Sequence, residues 1–293
     1  MKSTRSLAVI ALATGVMAVQ AVNAQTIYTS DLDDGTGWGV VQDEDTEYMF
    51  GFDYSQFGIP SAPNGTGSTG LRMAANIVAP AAAAKISAYP EGLNLTGQYR
   101  VNVDMWINYN TSGGTTEDIG AFVGFDPSAG MPFNGAGFTG DSDGDSGTDY
   151  KLYDNDAVVS SLDNSDPNLV AKFPGQSPPA IQGDASVFDP TNTLVPARDG
   201  TLGYAWHDLQ IDVDTNAGTA TFLVDGFEMG TVNRSNLSGT LALSFADPFG
   251  SVSTKPAFSF GVFDNLRVTQ VPEPATGLLS LVGLLALGTL RRR

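Results

Sequence analysis

Between Tyr99 and Asn108 the chain alternates. Val101, Val103, Met105 and Ile107 fall on one face of an extended segment, and Asn102, Asp104, Trp106 and Asn108 fall on the other. Successive side chains point to opposite faces only in a strand, so this period of two commits the segment to a sheet with one face in a core. The pattern returns at Leu209, Ile211 and Val213, which alternate with Gln210, Asp212 and Asp214. There Thr215-Asn216-Ala217-Gly218 reads as a turn and Thr219 to Val224 as the returning strand. Asp225-Gly226 is a second hairpin signal, because both residues tolerate the positive φ angles that a tight turn requires. Further strands are expected at Leu241, Leu243 and Phe245, at Phe258, Phe260, Val262 and Leu266, and at Ile119 to Phe125, where Gly120, Ala121 and Gly124 relieve crowding.

Residues 25–270 show no window of helical length with a 3.6-residue apolar repeat. Of the 32 acidic residues in the chain only 6 are Glu. Asp bonds nearby backbone groups in turns, whereas Glu and Lys dominate exposed helix faces, so the bias belongs to a turn-rich all-β chain. The expectation is all-β, an antiparallel β-sandwich over residues 25–270, with the largest loop insertions in 126–200.

The 293-residue chain contains no Cys and one His, His207. Thiolate zinc sites, Cys nucleophiles and disulfide frameworks are therefore excluded, as is any site needing two His from one chain. Residues 25–270 carry 9 basic residues against 31 acidic ones, a charge of −22. A nucleic-acid partner is excluded on the same ground, since a phosphate backbone is held by clustered Lys and Arg.

The two ends read as targeting segments. Lys2 and Arg5 precede an uncharged apolar run from Leu7 to Val19, and Val22-Asn23-Ala24 supplies small residues for cleavage after Ala24. Residues 1–24 are thus expected to be a signal peptide removed by signal peptidase. Residues 271–293 hold Val271, Pro272, Glu273, Pro274 and Ala275, an uncharged run over 276–290, and then Arg291, Arg292 and Arg293. This order of parts resembles the PEP-CTERM sorting signal of Gram-negative bacteria, also known as the ice-binding protein C-terminal domain module. At about 1.5 Å per residue a 15-residue helix is about 22 Å long, short of the ~30 Å of bilayer hydrocarbon. Such a transmembrane helix holds a protein marginally, with the Arg cluster on the cytoplasmic side and the body outside. The resemblance implies that an exosortase recognises the Pro-Glu-Pro segment and passes the body to the cell envelope or an extracellular polysaccharide matrix. An uncut tail anchor is the alternative. Ice binding is not expected, because the body lacks regular Thr-rich repeats.

A second resemblance covers the body. Trp206-His207-Asp208-Leu209, the hairpin ending Leu223-Val224-Asp225-Gly226, and Phe263-Asp264-Asn265-Leu266-Arg267-Val268 look like the concanavalin A-like, laminin G-like jelly-roll group. The stretches Phe50-Gly51-Phe52-Asp53-Tyr54-Ser55 and Met105-Trp106-Ile107-Asn108-Tyr109-Asn110 look like PEP-CTERM proteins of planctomycete type, which implies location more than activity.

Two clusters in the body carry binding chemistry. Asp141, Asp143, Asp145 and Asp149 place four carboxylates within nine residues. Ca²⁺ takes six to eight oxygens, and a curled D-x-D-x-D loop aims several inward. Against an EF-hand loop, Ser146 replaces the turn Gly and Leu152 the bidentate Glu, so a solvated acidic loop is the competing reading; no other cofactor is required. The second cluster is a sheet face on which strand parity joins Asp104 and Trp106 to Tyr204, Trp206 and Asp208. Sugars stack on aromatic rings while carboxylates and amides bond their hydroxyls, so this face suits a glycan. The competing reading is that the tryptophans cover the sheet beneath loops.

No glutamate-x-aspartate-x-x-glutamate motif of the sandwich-fold glucanases occurs, and His207 falls by parity on the core face of its strand. The expectation is an exported, non-catalytic sandwich, structural or associated with extracellular polysaccharide. A carbohydrate-active enzyme, a glycoside hydrolase or lyase with an unrecognised acid pair, is the alternative.

Overall fold

The computed structural model describes residues 24–78, 83–109, 116–144, 147–184, 188, 195–250, 252 and 255–271. The N-terminal apolar run, Asp145, and residues 272–293 of the expected sorting segment lie outside the described residues. Ala24 and Val271 are within them, as exposed and half-buried ends of the body.

Two antiparallel sheets face each other across one core. Numbered along the chain, the first runs β13 (Phe227–Asn233), β12 (Thr219–Val224), β11 (Trp206–Asp214), β6 (Gln98–Asn108), β15 (Phe260–Gln270), β4 (Thr69–Ala75) and β3 (Thr46–Asp53), and β1 (Thr26–Ser30) also pairs with β15. The second runs β10 (Ala157–Leu162), β9 (Tyr150–Asp154), β8 (Ala136–Asp141), β7 (Asp118–Phe125), β14 (Thr240–Asp247), β5 (Ala84–Pro90) and β2 (Trp38–Gln42). The chain is thus an all-β sandwich, as the alternation requires. The longest α-helix among the described residues is α1 (Pro167–Lys172), and none is long and apolar enough to cross a membrane.

The apolar parity set of each strand forms the core. Val101, Val103, Met105 and Ile107 of β6 and Leu209, Ile211 and Val213 of β11 pack with Ile119, Leu243 and Phe245 of the facing sheet. Each fully buried side chain of this size contributes about 1.5–3 kcal/mol of burial free energy. Close approach explains the small residues of β7. A Cβ on Gly120 would stand 1.8 Å from the Phe138 carbonyl oxygen of β8.

The hairpins follow their turn chemistry. Asp214 Oδ1 accepts from the backbone N–H groups of Asn216 and Ala217, both at 2.9 Å, closing the β11–β12 turn. Asp225 (φ 50°) and Gly226 (φ 77°) form the β12–β13 turn in the left-handed region that Asp-Gly tolerates. His207 is buried on the core face. Its Nδ1 lies 2.8 Å from Asp225 Oδ2, so it braces that turn.

The stretch 126–200 is more regular than expected. Its first part supplies β8, β9 and β10, which extend the second sheet beyond β7. Composition hid these strands: β8 reads Ala-Gly-Phe-Thr-Gly-Asp, with Gly137 making room for the Phe122 ring (2.1 Å from a Cβ there).

Candidate functional site

The candidate site lies on the outer face of the first sheet, where the register sets three carboxylates side by side. Asp208 of β11 is opposite Asp104 of β6, which is opposite Asp264 of β15. Asp104, fully buried, is hydrogen-bonded by amides. Its Oδ1 accepts from Asn64 Nδ2 (2.6 Å), and its Oδ2 accepts from Asn64 N (3.1 Å) and Asn265 Nδ2 (2.8 Å). Asn265 reaches Asp104 because β15 bulges between Asp264 and Arg267, where Asn265 adopts φ 54°. Gly65 must be glycine for the same contact, since a Cβ there would stand 2.0 Å from Asn265 Oδ1.

Asp264 Oδ2 accepts from the Tyr54 hydroxyl (2.9 Å) and Oδ1 from Asn265 N (2.7 Å). Burial, with the nearby charges of Asp33 and Asp104 adding to it, pushes the Asp264 carboxyl up to about 6 against the pull of these hydrogen bonds. Asp208 is half-buried, and both its oxygens accept from Asn102 Nδ2 at 3.2 Å. Burial, assisted by the charges of Asp104 and Asp225, raises it as well, while the Asn102 bonds oppose the shift.

This arrangement leaves an open polar groove. Asn64, Asn102, Asp208, Asn265 and Arg267 line about 230 Å³, and Asn64 and Asn265 are shared with an adjoining space of about 310 Å³ that reaches Asp31, Asp33 and Asp264. Arg267 is exposed and Asn102 half-buried. Carboxylate and amide oxygens beside amide and guanidinium donors suit a ligand rich in hydroxyl groups.

The aromatic residues of this face are placed differently from the sequence expectation. Trp106 is 3% exposed and Tyr204 4%. With Tyr54, Ile59, Tyr109, Phe260 and Val262 they form a second small core beneath the loops that cross the sheet. Tyr204 precedes β11 and has φ 60°, so strand parity does not govern it; its ring stacks on Tyr109 (5.1 Å) and its hydroxyl bonds the Tyr109 carbonyl. Trp206, register partner of Trp106, is half-buried, and its Nε1 donates to the Pro60 carbonyl at 2.7 Å. Trp106 and Tyr204 therefore offer no free ring face, Asp104 is buried beneath the groove, and of the five expected residues Asp208 alone lines it. Asn64, Asn265 and Arg267 escaped sequence reasoning because a loop and a bulge bring them to the face; Gly65 beside Asn64 was the available signal.

The acidic loop joins β8 to β9. Asp141 ends β8 opposite Asp118 of β7, and Asp118 is ion-paired with Lys151 at 2.9 Å. Asp141 is 1% exposed, and burial first, then the charges of Asp118, Asp143 and Asp149, drive its carboxyl well above the usual range. Asp141 Oδ2, Ser142 Oγ and Asp143 Oδ1 are buried without a hydrogen-bond partner among the described residues. Asp149 Oδ2 accepts from Asn164 N at 2.7 Å. Among the described residues no group of three or more His, Cys, Asp or Glu side chains is arranged to hold a metal ion.

No family model and no curated protein matches the chain by sequence. Structural comparison finds solved structures that resemble the chain at low identity. They include the carbohydrate-binding module CBM66 from Bacillus subtilis, with 11% identity and a TM-score of 0.39 over 78% of this chain and 93% of that one. The exoplasmic/lumenal domain of VIP36, solved with Ca²⁺ and Man2, has 10% identity and a TM-score of 0.42 over 81% of this chain and 82% of that one. A GlcNAcα1-4Gal-releasing endo-β-galactosidase from Clostridium perfringens has 11% identity and a TM-score of 0.44 over 86% of this chain and 64% of that one.

Proposed function

We propose that this chain is an exported, non-catalytic β-sandwich that binds neutral glycan in the groove lined by Asn64, Asn102, Asp208, Asn265 and Arg267. The observation that carries the reading is the groove itself: the Asn64 and Asn265 amides held by Asp104, with Asn102, Asp208 and Arg267 beside them, left open on a sheet face. The surrounding Asp residues favour an uncharged polymer, because uronates would be repelled. The N-terminal segment ending at Ala24 directs export. The Val271–Ala275 segment with its apolar run and Arg291–Arg293 holds the body at the inner membrane until an exosortase passes it to the envelope or matrix.

The β8–β9 loop is the proposed calcium site. Buried carboxylates without partners are costly unless a cation or proton meets them, and the orphaned oxygens of Asp141, Ser142 and Asp143 are of the kind Ca²⁺ accepts. Binding there would fix the loop and supply no chemistry to a ligand in the groove.

The test is binding of the full chain to soluble neutral polysaccharides, with reducing ends assayed in parallel. Binding without release, weakened about tenfold or more in Asp208→Ala, is expected. Release of reducing ends that disappears in Asp208→Asn or Asp264→Asn would move the protein to the hydrolase reading. A rise in Tm with Ca²⁺ over EDTA, abolished by Asp143→Ala, checks the loop.

A further inference from the structure

The largest cavity among those described lies on the other side of the sandwich. About 550 Å³ opens at one end of the second sheet, within the ~300–1,000 Å³ typical of small-molecule sites. Phe122 and Tyr153 alternate with core residues, so the cluster they form with Phe125, Phe133 and Ala242 sits on the outer face of this sheet. Tyr89 of β5 is half-buried at the cavity edge and packs at 5.5 Å on Phe125 of β7. Its ring rests on Gly39 of β2, where a Cβ would stand 2.3 Å away.

Four loops wall the cavity, and each is pinned. Leu95 N donates to the Gly239 carbonyl (2.7 Å) and Gly239 N to the Leu95 carbonyl (3.3 Å), joining the β5–β6 and β13–β14 loops. Asn134 Oδ1 accepts from Asp126 N (2.7 Å) within the β7–β8 loop, and Asn155 Oδ1 at the β9–β10 turn accepts from Gly135 N (3.2 Å). Arg234 is ion-paired with Asp154, and its Nε donates to the Asn236 carbonyl (2.9 Å). A pinned wall needs little ordering on binding, which favours affinity. The cavity therefore presents an aromatic edge, the exposed apolar Met131, and Asp126, Asn155, Arg234 and Asn236 as polar groups around one space.

We propose that this cavity is a second carbohydrate site, taking a neutral sugar unit against Tyr89 with its hydroxyls on the polar rim. It stands on its own geometry. Its consequence rests on the groove reading above: the groove lies on the outer face of the first sheet and the cavity at one end of the second, so one molecule bridges two polysaccharide chains. Two weak sites on one rigid body raise avidity for a polymer without any new contact.

Titration calorimetry of the full chain with cello-, malto-, laminari- and mannopentaose tests both sites. The expected result is two equivalents of at least one probe per wild-type chain and one equivalent in Asp208→Ala. Tyr89→Ala lowers the affinity of the other equivalent about tenfold or more through loss of ring contact, and Tyr89→Phe restores it. Asn236→Ala, on an exposed loop, gives the same selective weakening if Tyr89→Ala fails to fold. Wild type should gel or precipitate the polymer of the bound probe, and each single-site variant should bind it without cross-linking. Unchanged binding in both Tyr89→Ala and Asn236→Ala overturns the cavity; unchanged stoichiometry in Asp208→Ala overturns the groove and leaves the cavity standing. Binding of no probe overturns both.

Discussion

Asp264 gives the sharpest physical prediction, because its carboxyl is 3% exposed and held up at about 6 by burial. An Asp in the unfolded chain titrates near 3.9. Between those two values the folded chain binds the proton more tightly, so this group's contribution to stability falls as pH rises. Integrated for one site from about pH 4.5 to about pH 7.5, the loss is roughly 2 kcal/mol. In a domain of this size that is roughly 4–8 °C in Tm. Asp264→Asn keeps the shape and removes the titration. Urea unfolding of both proteins across this range isolates the term. Asp247, also raised to about 6, is present in both chains and cancels. The turn carboxylates Asp34, Asp53 and Asp214 act oppositely. Hydrogen bonds from Thr36, Ser55 and Ala217, each the largest influence on its group, hold them below the usual range, so they lose stability as pH falls; they cancel too. The wild type should lose stability relative to the variant by roughly 2 kcal/mol as pH rises through this window. A difference that stays constant with pH, or grows in the wild type's favour, refutes the account of the buried carboxylate row.

Other consequences concern the fold around the site. Trp106→Ala should cost about 3–5 kcal/mol in chemical unfolding, as a core truncation does; a loss under about 1 kcal/mol would mean the indole is not packed as described. Gly120→Ala, with its Cβ against the Phe138 carbonyl, should leave little folded protein by circular dichroism at 37 °C, and near-native stability would contradict the β7–β8 register. Lys151→Met strands the buried Asp118 charge and should destabilise by about 3–5 kcal/mol at neutral pH. That deficit should shrink as acid protonates the carboxyl; a pH-independent deficit would indicate lost packing alone.

The sandwich was legible because its strands obey a period of two and its turns use residues with a local reason to be there. Val101 to Ile107, Leu209 to Val213 and Asp225-Gly226 each carry their structure in their spacing. The strand β8 was not legible, since Gly137 and Gly140 take places where larger side chains would mark the pattern, and close packing of Phe122 and Tyr150 is the reason. At the site, parity placed Asp104, Trp106, Trp206 and Asp208 on one face correctly. It could not show that the chain from Tyr54 to Asn64 folds back over Trp106, or that a bulge at Asn265 aims an amide at Asp104. Both are long-range events, 40 and 161 residues apart in the contacts they make. The cavity around Tyr89 was invisible for the same reason, as its lining comes from four separate loops.

The central claim is that the groove beside Asp208 holds neutral glycan without cutting it. The most direct measurement is equilibrium binding of the full chain to a panel of soluble neutral polysaccharides, wild type beside Asp208→Ala, with reducing ends counted in the same samples. The account predicts saturable binding by the wild type, affinity lower by about tenfold or more in the variant, and no new reducing ends in either. Equal binding by the two proteins, or steady release of reducing ends by the wild type, would contradict it.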